Sequence, residues 1–135
     1  MTDILSAEQR SHNMAKISSK NTKPELVTRS LLFRMGYRFR LHRRDLPGTP
    51  DIVLPRYRTV IFVNGCYWHR HPCCSYAYNP KSRVDFWRRK FEQNVARDKH
   101  NYQELNTVSW RVIVIWECET RRPDELEQRL KDLLN

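Results

Sequence analysis

The apolar positions of this chain change period several times, and each change predicts an element. Leu26, Leu31, Leu32 and Met35 recur at helical spacing. Thr22, Pro24 and Glu25 in front of them supply an N-cap, a first-turn proline and a capping-box acid. This helix should stop at Gly36. Tyr37, Phe39 and Leu41 then alternate with Arg38 and Arg40, which predicts a half-buried strand with its arginines outward. Leu46 to Pro50 reads as a turn, Asp51 to Leu54 as a short apolar strand, and Arg56 to Arg58 as the connection to the next. Thr59 to Val63 is apolar on both faces, as a central strand would be. Residues 64–81 form a loop rich in His, Cys, Tyr and Pro, after which Ser82 and Asp85 suggest a second capping box opening a helix to about Leu105. Trp110 to Trp116 reads as a buried strand. Pro123 begins a closing helix carrying Leu126, Leu130, Leu133 and Leu134.

The order helix, three strands, helix, strand, helix predicts an α/β fold, a mixed β-sheet flanked by helices. Residues 1–21 are polar with little periodicity beyond a short helix from Ser6 that sets Met14 and Ile17 on one side. They read as an arm ordered by a partner, leaving 22–135 as a single domain. A length of 135 residues with 39% apolar content suits one modest core. No apolar run approaches the roughly 20 residues that span a bilayer, and the first residues lack the basic-then-apolar order of a secretory signal. The expectation is a soluble, intracellular protein that does not engage membranes.

Charge narrows the partner. Residues 1–100 carry 20 of the 25 lysines and arginines against 8 acids, whereas the last 35 residues carry 5 basic and 7 acidic groups. A basic body with a slightly negative tail points to a polyanion, with phosphate contacts and counterion release supplying affinity. No segment stands out as the basic amphipathic helix that an anionic membrane would want.

Several residue types carry chemistry. Cys66, Cys73 and Cys74 fall close together beside His71, and Cys118 follows a strand able to return to the same sheet end. Such thiols mixed with histidine suit a tetrahedral Zn²⁺ site better than a disulfide framework; the bland reading is buried free thiols. Pro50-Asp51 places a carboxylate at the head of an apolar strand, where it could hold Mg²⁺ against a phosphate or simply cap a turn. Glu25 is either the capping-box acid, a site residue, or both. His69 offers an imidazole able to shuttle a proton at neutral pH, or one more zinc ligand. Tyr67 and Trp68, consecutive in a polar loop, can stack on bases. Trp87, beside Phe86 and Phe91, serves DNA or the core about equally well.

Taken together, Pro50-Asp51, the block Phe62-x-x-Gly65-Cys66-Tyr67-Trp68-His69-x-His71-x-Cys73, Phe86-Trp87, Asn94-Val95-x-Arg97-Asp98 and Trp116-Glu117-Cys118 resemble the very-short-patch mismatch repair (Vsr) endonuclease family, as does Arg10-Ser11-x-Asn13-Met14 in the arm. The similarity runs over roughly residues 8–120. It implies a restriction-endonuclease-like fold with a structural zinc site. In that fold the second acid and lysine of the usual signature would fall at Phe62-Val63-Asn64, where both are missing.

The resemblance further implies that Asp51 binds Mg²⁺, that Val63 adds its backbone carbonyl, that His69 is the general acid–base, and that Glu25 supports the site through water. Asn64 stands where the family often carries histidine, leaving His69 as the proton-transfer side chain. Zinc falls to Cys66, His71, Cys73 and Cys118, with Cys73 preferred to Cys74 on the His-x-Cys match. Tyr67, Trp68 and Trp87 are implied to intercalate beside a mismatch, Met14 to reach the other groove, and Lys90 and Asn94 to lie at the mismatched pair. The implied activity is strand-specific, Mg²⁺-dependent hydrolysis 5′ of the thymine in T·G mismatches left by deamination of 5-methylcytosine. Its partners would be mismatched double-stranded DNA, a functionally paired cytosine-5 methyltransferase and mismatch-repair proteins. The enzyme would act as a monomer in the bacterial cytoplasm, on the nucleoid. Two rivals stand beside this reading: a restriction-like nuclease of other specificity, and a zinc-dependent DNA-binding module without catalysis.

Overall fold

A computed structural model describes residues 21–134. The predicted arm, with Met14, lies outside the described residues. Helix α1 spans Lys23–Arg34, with Thr22 as N-cap accepting the Glu25 N–H. Met35 caps its C-terminus, and Gly36 turns the chain out at φ +91°. The alternating segment that follows pairs over only two residues, β1 (Arg40–Leu41), and both are exposed. Tyr37 and Phe39 pack against the core from outside any ladder.

The sheet has the order β1-β2-β3-β4, with β2 at Ile52–Leu54, β3 at Thr59–Asn64 and β4 at Arg111–Trp116. β1–β2 and β2–β3 are antiparallel, and β3–β4 is parallel, with Ile61 opposite Ile113 and Val63 opposite Ile115. A parallel pair needs a crossover, and here it is the 64–83 loop followed by α2, Val84–Thr107. The expected capping box at its start does not form. Arg83, not Ser82, is the N-cap, left-handed at φ 52° and without a side-chain cap bond. A 3₁₀ turn, Glu117–Arg121, leads from β4 to α3, Pro123–Leu134.

Alternation along β3 produces two cores, as its two-faced apolar run predicts. Ile61 joins Leu31, Leu32, Ile52, Leu54, Ile113, Ile115, Leu126 and Leu130 under α1 and α3. Val60 and Phe62 join Val53, Leu105 and Trp110 under α2. The result is a mixed four-stranded sheet with helices on both faces. Among the described residues no helix is long and apolar enough to cross a membrane.

Candidate functional site

The end of the sheet where β2 begins and β3 finishes gathers the acidic groups. Asp51 precedes β2, and its Oδ2 accepts the Val63 N–H at 2.8 Å across the β2–β3 pair. Glu25, 2% exposed, reaches the same place from the first turn of α1. Its Oε2 accepts the Asn21 N–H at 3.2 Å, so only one half of the predicted capping box forms, because the carboxylate is engaged elsewhere. Arg29 bonds the same oxygen one helical turn on, and His42 Nε2 lies 2.9 Å from it. One ligand atom each from Glu25, His42 and Asp51 fall within 4.8 Å of one another. Burial pushes the Asp51 carboxyl up to about 7; the Val63 N–H opposes the rise, and the neighbouring Glu25 charge adds to it. A buried and a half-buried carboxylate held this close favour a bound cation, and the donor set suits a hard divalent ion.

Asn64, at the end of β3 and 4% exposed, donates from Nδ2 to Tyr102 Oη at 2.8 Å. Burial raises the Tyr102 phenol to about 12 against the effect of that bond, and the charges of Asp98 and Asp51 both add to the rise. Tyr102 therefore stands within electrostatic reach of both acids. Asp98 Oδ2 in turn holds His69 Nδ1 at 2.6 Å. That contact fixes the imidazole through one nitrogen and leaves Nε2 for other chemistry, the arrangement of an oriented acid–base histidine.

Around the corner lies a second cluster. Cys66 Sγ and Cys118 Sγ are 3.6 and 3.5 Å from His71 Nδ1. A tetrahedral zinc ion, with bonds of about 2.3 Å to sulfur and about 2.0 Å to nitrogen, sets such atoms about 3.5 Å apart. The fourth member is Cys74, not the expected Cys73. Cys73 takes a left-handed backbone at φ 57° and is exposed, so the chain turns its thiol away and delivers the next one. Burial lifts the Cys66 thiol to about 12 and raises that of Cys118 as well. Thiols so placed give up their protons readily only to a metal. The His71 ring stacks on Trp116 with centroids 4.3 Å apart.

The aromatic residues form a third group. Tyr67 contacts Trp68, Trp87 and Phe91 at centroid distances of 5.1, 6.4 and 5.2 Å, and Trp68 lies 5.9 Å from Trp87. Trp87 thus lies among the loop aromatics and also stacks on Phe91. Asn94 is 9% exposed, donates to the Trp68 carbonyl at 3.0 Å and accepts from Arg97, so it supports the loop backbone from beneath. Lys90 is exposed on α2. Arg70 ties the loop together by donating to the carbonyls of Ala77 and Tyr78 at 2.9 and 3.0 Å, with its guanidinium over the Phe91 ring.

Comparison with known proteins settles the family. A family model described as DNA mismatch endonuclease Vsr matches residues 2–75. A type II nicking enzyme of Xanthomonas oryzae pv. oryzae, V.XorIIP, is 53% identical over all of this chain and 98% of its own length. The chain belongs to the Vsr family. A second nicking enzyme, V.NmeAIP of Neisseria meningitidis serogroup A, shares 44% identity over 99% of this chain and 95% of itself. The Vsr mismatch endonuclease of Escherichia coli K12 shares 40% over 93% of this chain and 80% of itself.

Within this Vsr chain, His42, Asp98 and Arg70 carry contacts to which their sequence assigned no role. Asp98 had a signal: with Phe91, Asn94, Tyr102 and Leu105 it lies on the helical stripe of α2 that faces the sheet, where polar residues are costly unless engaged. His42 had none. It becomes a neighbour of Glu25 only through the β1–β2 pairing and the packing of α1.

Proposed function

We propose that this protein is a Mg²⁺-dependent, strand-specific DNA endonuclease that nicks 5′ of the thymine in T·G mismatches. The observation that carries this reading is the meeting of Glu25 and Asp51 at the end of β3, the strand that leads through Asn64 to the His69–Asp98 pair and the half-buried aromatics Tyr67 and Trp68. Membership in the Vsr family and similarity to nicking enzymes support endonuclease chemistry. The mixed sheet with Asp51 at the head of β2 is in keeping with a restriction-endonuclease-like scaffold.

Asp51 and the Val63 backbone carbonyl would hold the Mg²⁺, together with Glu25, whose carboxylate lies within 4.8 Å of that of Asp51 and so is near enough to bind directly instead of through water. When bound there, it supplies charge neutralisation at the scissile phosphate and lowers the pKa of water. His69 takes the proton from the attacking water through Nε2, while Asp98 holds its Nδ1 and stabilises the imidazolium that results. The amide of Asn64 is directed to Tyr102, which leaves His69 as the proton-transfer group of this pair. Cys66, His71, Cys74 and Cys118 would hold a structural Zn²⁺ and so fix the loop presenting Tyr67, Trp68 and His69. Tyr67 and Trp68, backed by Trp87, wedge into the duplex. Unstacking costs least at a mismatch, which gives a physical route to selectivity. Lys90, exposed on α2, reaches the mismatched pair, and the arm of residues 1–21 approaches the opposite groove through Met14.

The biological setting we infer is repair of deaminated 5-methylcytosine in the bacterial cytoplasm by a monomer, alongside a cytosine-5 methyltransferase and mismatch-repair proteins. The test is a nicking assay on a T·G duplex and its C·G counterpart in Mg²⁺. Wild type should nick only the T·G duplex. Asp51→Ala should lose about 10³-fold or more in rate while still binding DNA. Equal nicking of both duplexes would assign another specificity, and equal rates for mutant and wild type would end the proposal.

A further inference from the structure

We propose that His42 binds the catalytic divalent cation directly, as a third protein side chain beside Glu25 and Asp51. The inference rests on the metal-dependent reading of Asp51 given above and extends it to a residue that this reading does not use. Its foundation is geometric. His42 Nε2 is 2.9 Å from Glu25 Oε2, and a carboxylate oxygen of Asp51 completes a triangle with all sides within 4.8 Å. Adjacent ligands on an octahedral ion with bonds of about 2.1 Å lie about 3.0 Å apart, and opposite ones about 4.2 Å. The imidazole and the two carboxylates therefore sit at spacings that one small cation can bridge.

The backbone holds His42 at this point. Leu41 pairs with Ile52 in the β1–β2 ladder, and His42 N–H then donates to the Asp51 carbonyl at 3.1 Å. The segment bearing the imidazole is thus bonded to the residue bearing the carboxylate. His42 leaves the strand with φ at 49°, in the left-handed region that a non-glycine residue ordinarily avoids. The register is set by the sheet and not by the His42–Glu25 contact, so the imidazole remains beside both acids when that contact is exchanged for a metal bond.

Arg29 is the competing cation. Its Nη2 bonds Glu25 and, at 2.6 Å, Asn21 Oδ1, and it lies 3.4 Å from His42 Nε2. An ion seated between the three donors displaces this guanidinium. Arg29 can yield because its side chain keeps 16% exposure, its Nε is buried without a hydrogen-bond partner, and its partner Asn21 is exposed. An imidazole in the ligand set also shifts preference from Mg²⁺ toward borderline ions such as Mn²⁺ and Co²⁺ relative to a purely oxygen-ligated site.

The experiment is Mn²⁺ binding to the full-length, zinc-loaded enzyme, followed by electron paramagnetic resonance with pulsed detection of nitrogen couplings. Wild type should show one Mn²⁺ whose binding is lost in Asp51→Ala, with the ¹⁴N coupling of a bound imidazole. His42→Gln, checked for an unchanged fold by its melting curve, should lose that coupling and bind Mn²⁺ about tenfold or more weakly. His69→Gln should keep both. Absence of imidazole coupling in the wild type overturns the inference whatever the variants do, as does a coupling that survives in His42→Gln or disappears in His69→Gln. In these cases an Asp51-dependent Mn²⁺ leaves the endonuclease reading intact. Equal Mn²⁺ binding by wild type and Asp51→Ala overturns both.

Discussion

Two ligand clusters among the described residues flank the same strand end and are built on opposite principles. Cys66, His71, Cys74 and Cys118 are soft donors drawn mostly from one loop, closed on themselves and stacked against Trp116. Glu25, His42 and Asp51 are mainly hard donors from three separate elements, crossed by the cation of Arg29. Three thiols and an imidazole closed around one metal ion would leave no position for substrate, which suits the loop-fixing role proposed for them. The acidic set is incomplete and electrostatically strained, with Asp51 pushed up to about 7, chiefly by burial. Strain of this kind is what a site that must bind an ion and a phosphate retains. In the proposed mechanism one cluster holds the scaffold still and the other does the chemistry.

The sharpest way to break this contrast is to exchange the neighbouring thiols. Cys74→Ser should release the metal from the soft cluster and lower Tm by 10 °C or more, on the order of several kcal/mol of metal-linked folding energy. Cys73→Ser should leave both metal content and Tm nearly unchanged. Metal analysis with thermal melting reads both, and the reverse pattern would restore Cys73 to the cluster.

A smaller effect separates orientation from ligation. Asp98→Asn keeps the size of the side chain but removes the charge facing His69 Nδ1. It should lower the nicking rate by about 10²-fold with little change in Tm or in Mn²⁺ affinity. A rate within twofold of wild type would remove Asp98 from the mechanism.

The smallest effect is on pH. Because the Asp51 carboxyl is raised to about 7 from 3.8, the folded protein holds a proton there that the unfolded chain has already released. Stability contributed by this group therefore falls as pH climbs between those values, and the penalty is complete above about 7. A metal ion must displace the same proton, so its affinity should fall by about tenfold per pH unit below that point and level off above it. Calorimetric titration with Mn²⁺ at several pH values reads the slope. Asp51→Asn should melt a few degrees above wild type at pH 8 and show no gain near pH 4. A pH-independent affinity would place Asp51 in a wetter, less strained setting.

Much of this molecule was written along the chain. The central strand with two apolar faces, the helix start at Thr22, the Cys66–Cys74 part of the thiol–imidazole cluster and Pro50-Asp51 all depend on near neighbours in sequence. Each follows from periodicity or local chemistry. The departures share a physical cause. Ser82 looked like a cap because its side chain and spacing suit one, yet the chain enters α2 through a left-handed Arg83. Cys73 looked like the ligand because it follows His71 by two residues, but its own backbone twist points the thiol outward. Neither dihedral is encoded by residue type, since both residues ordinarily avoid positive φ.

By itself, the sequence determined the elements, the two-faced sheet, the family and the residue types from which a soft and a hard site can be made. Only the tertiary structure decided which thiol closes the soft site, that Asp98 holds His69, and that His42 meets Glu25 from 17 positions away. The reason is range. Helical and strand periodicity report on a residue's near neighbours, whereas the β1–β2 pairing, the packing of α1 and the turn at residue 73 set which distant side chains meet.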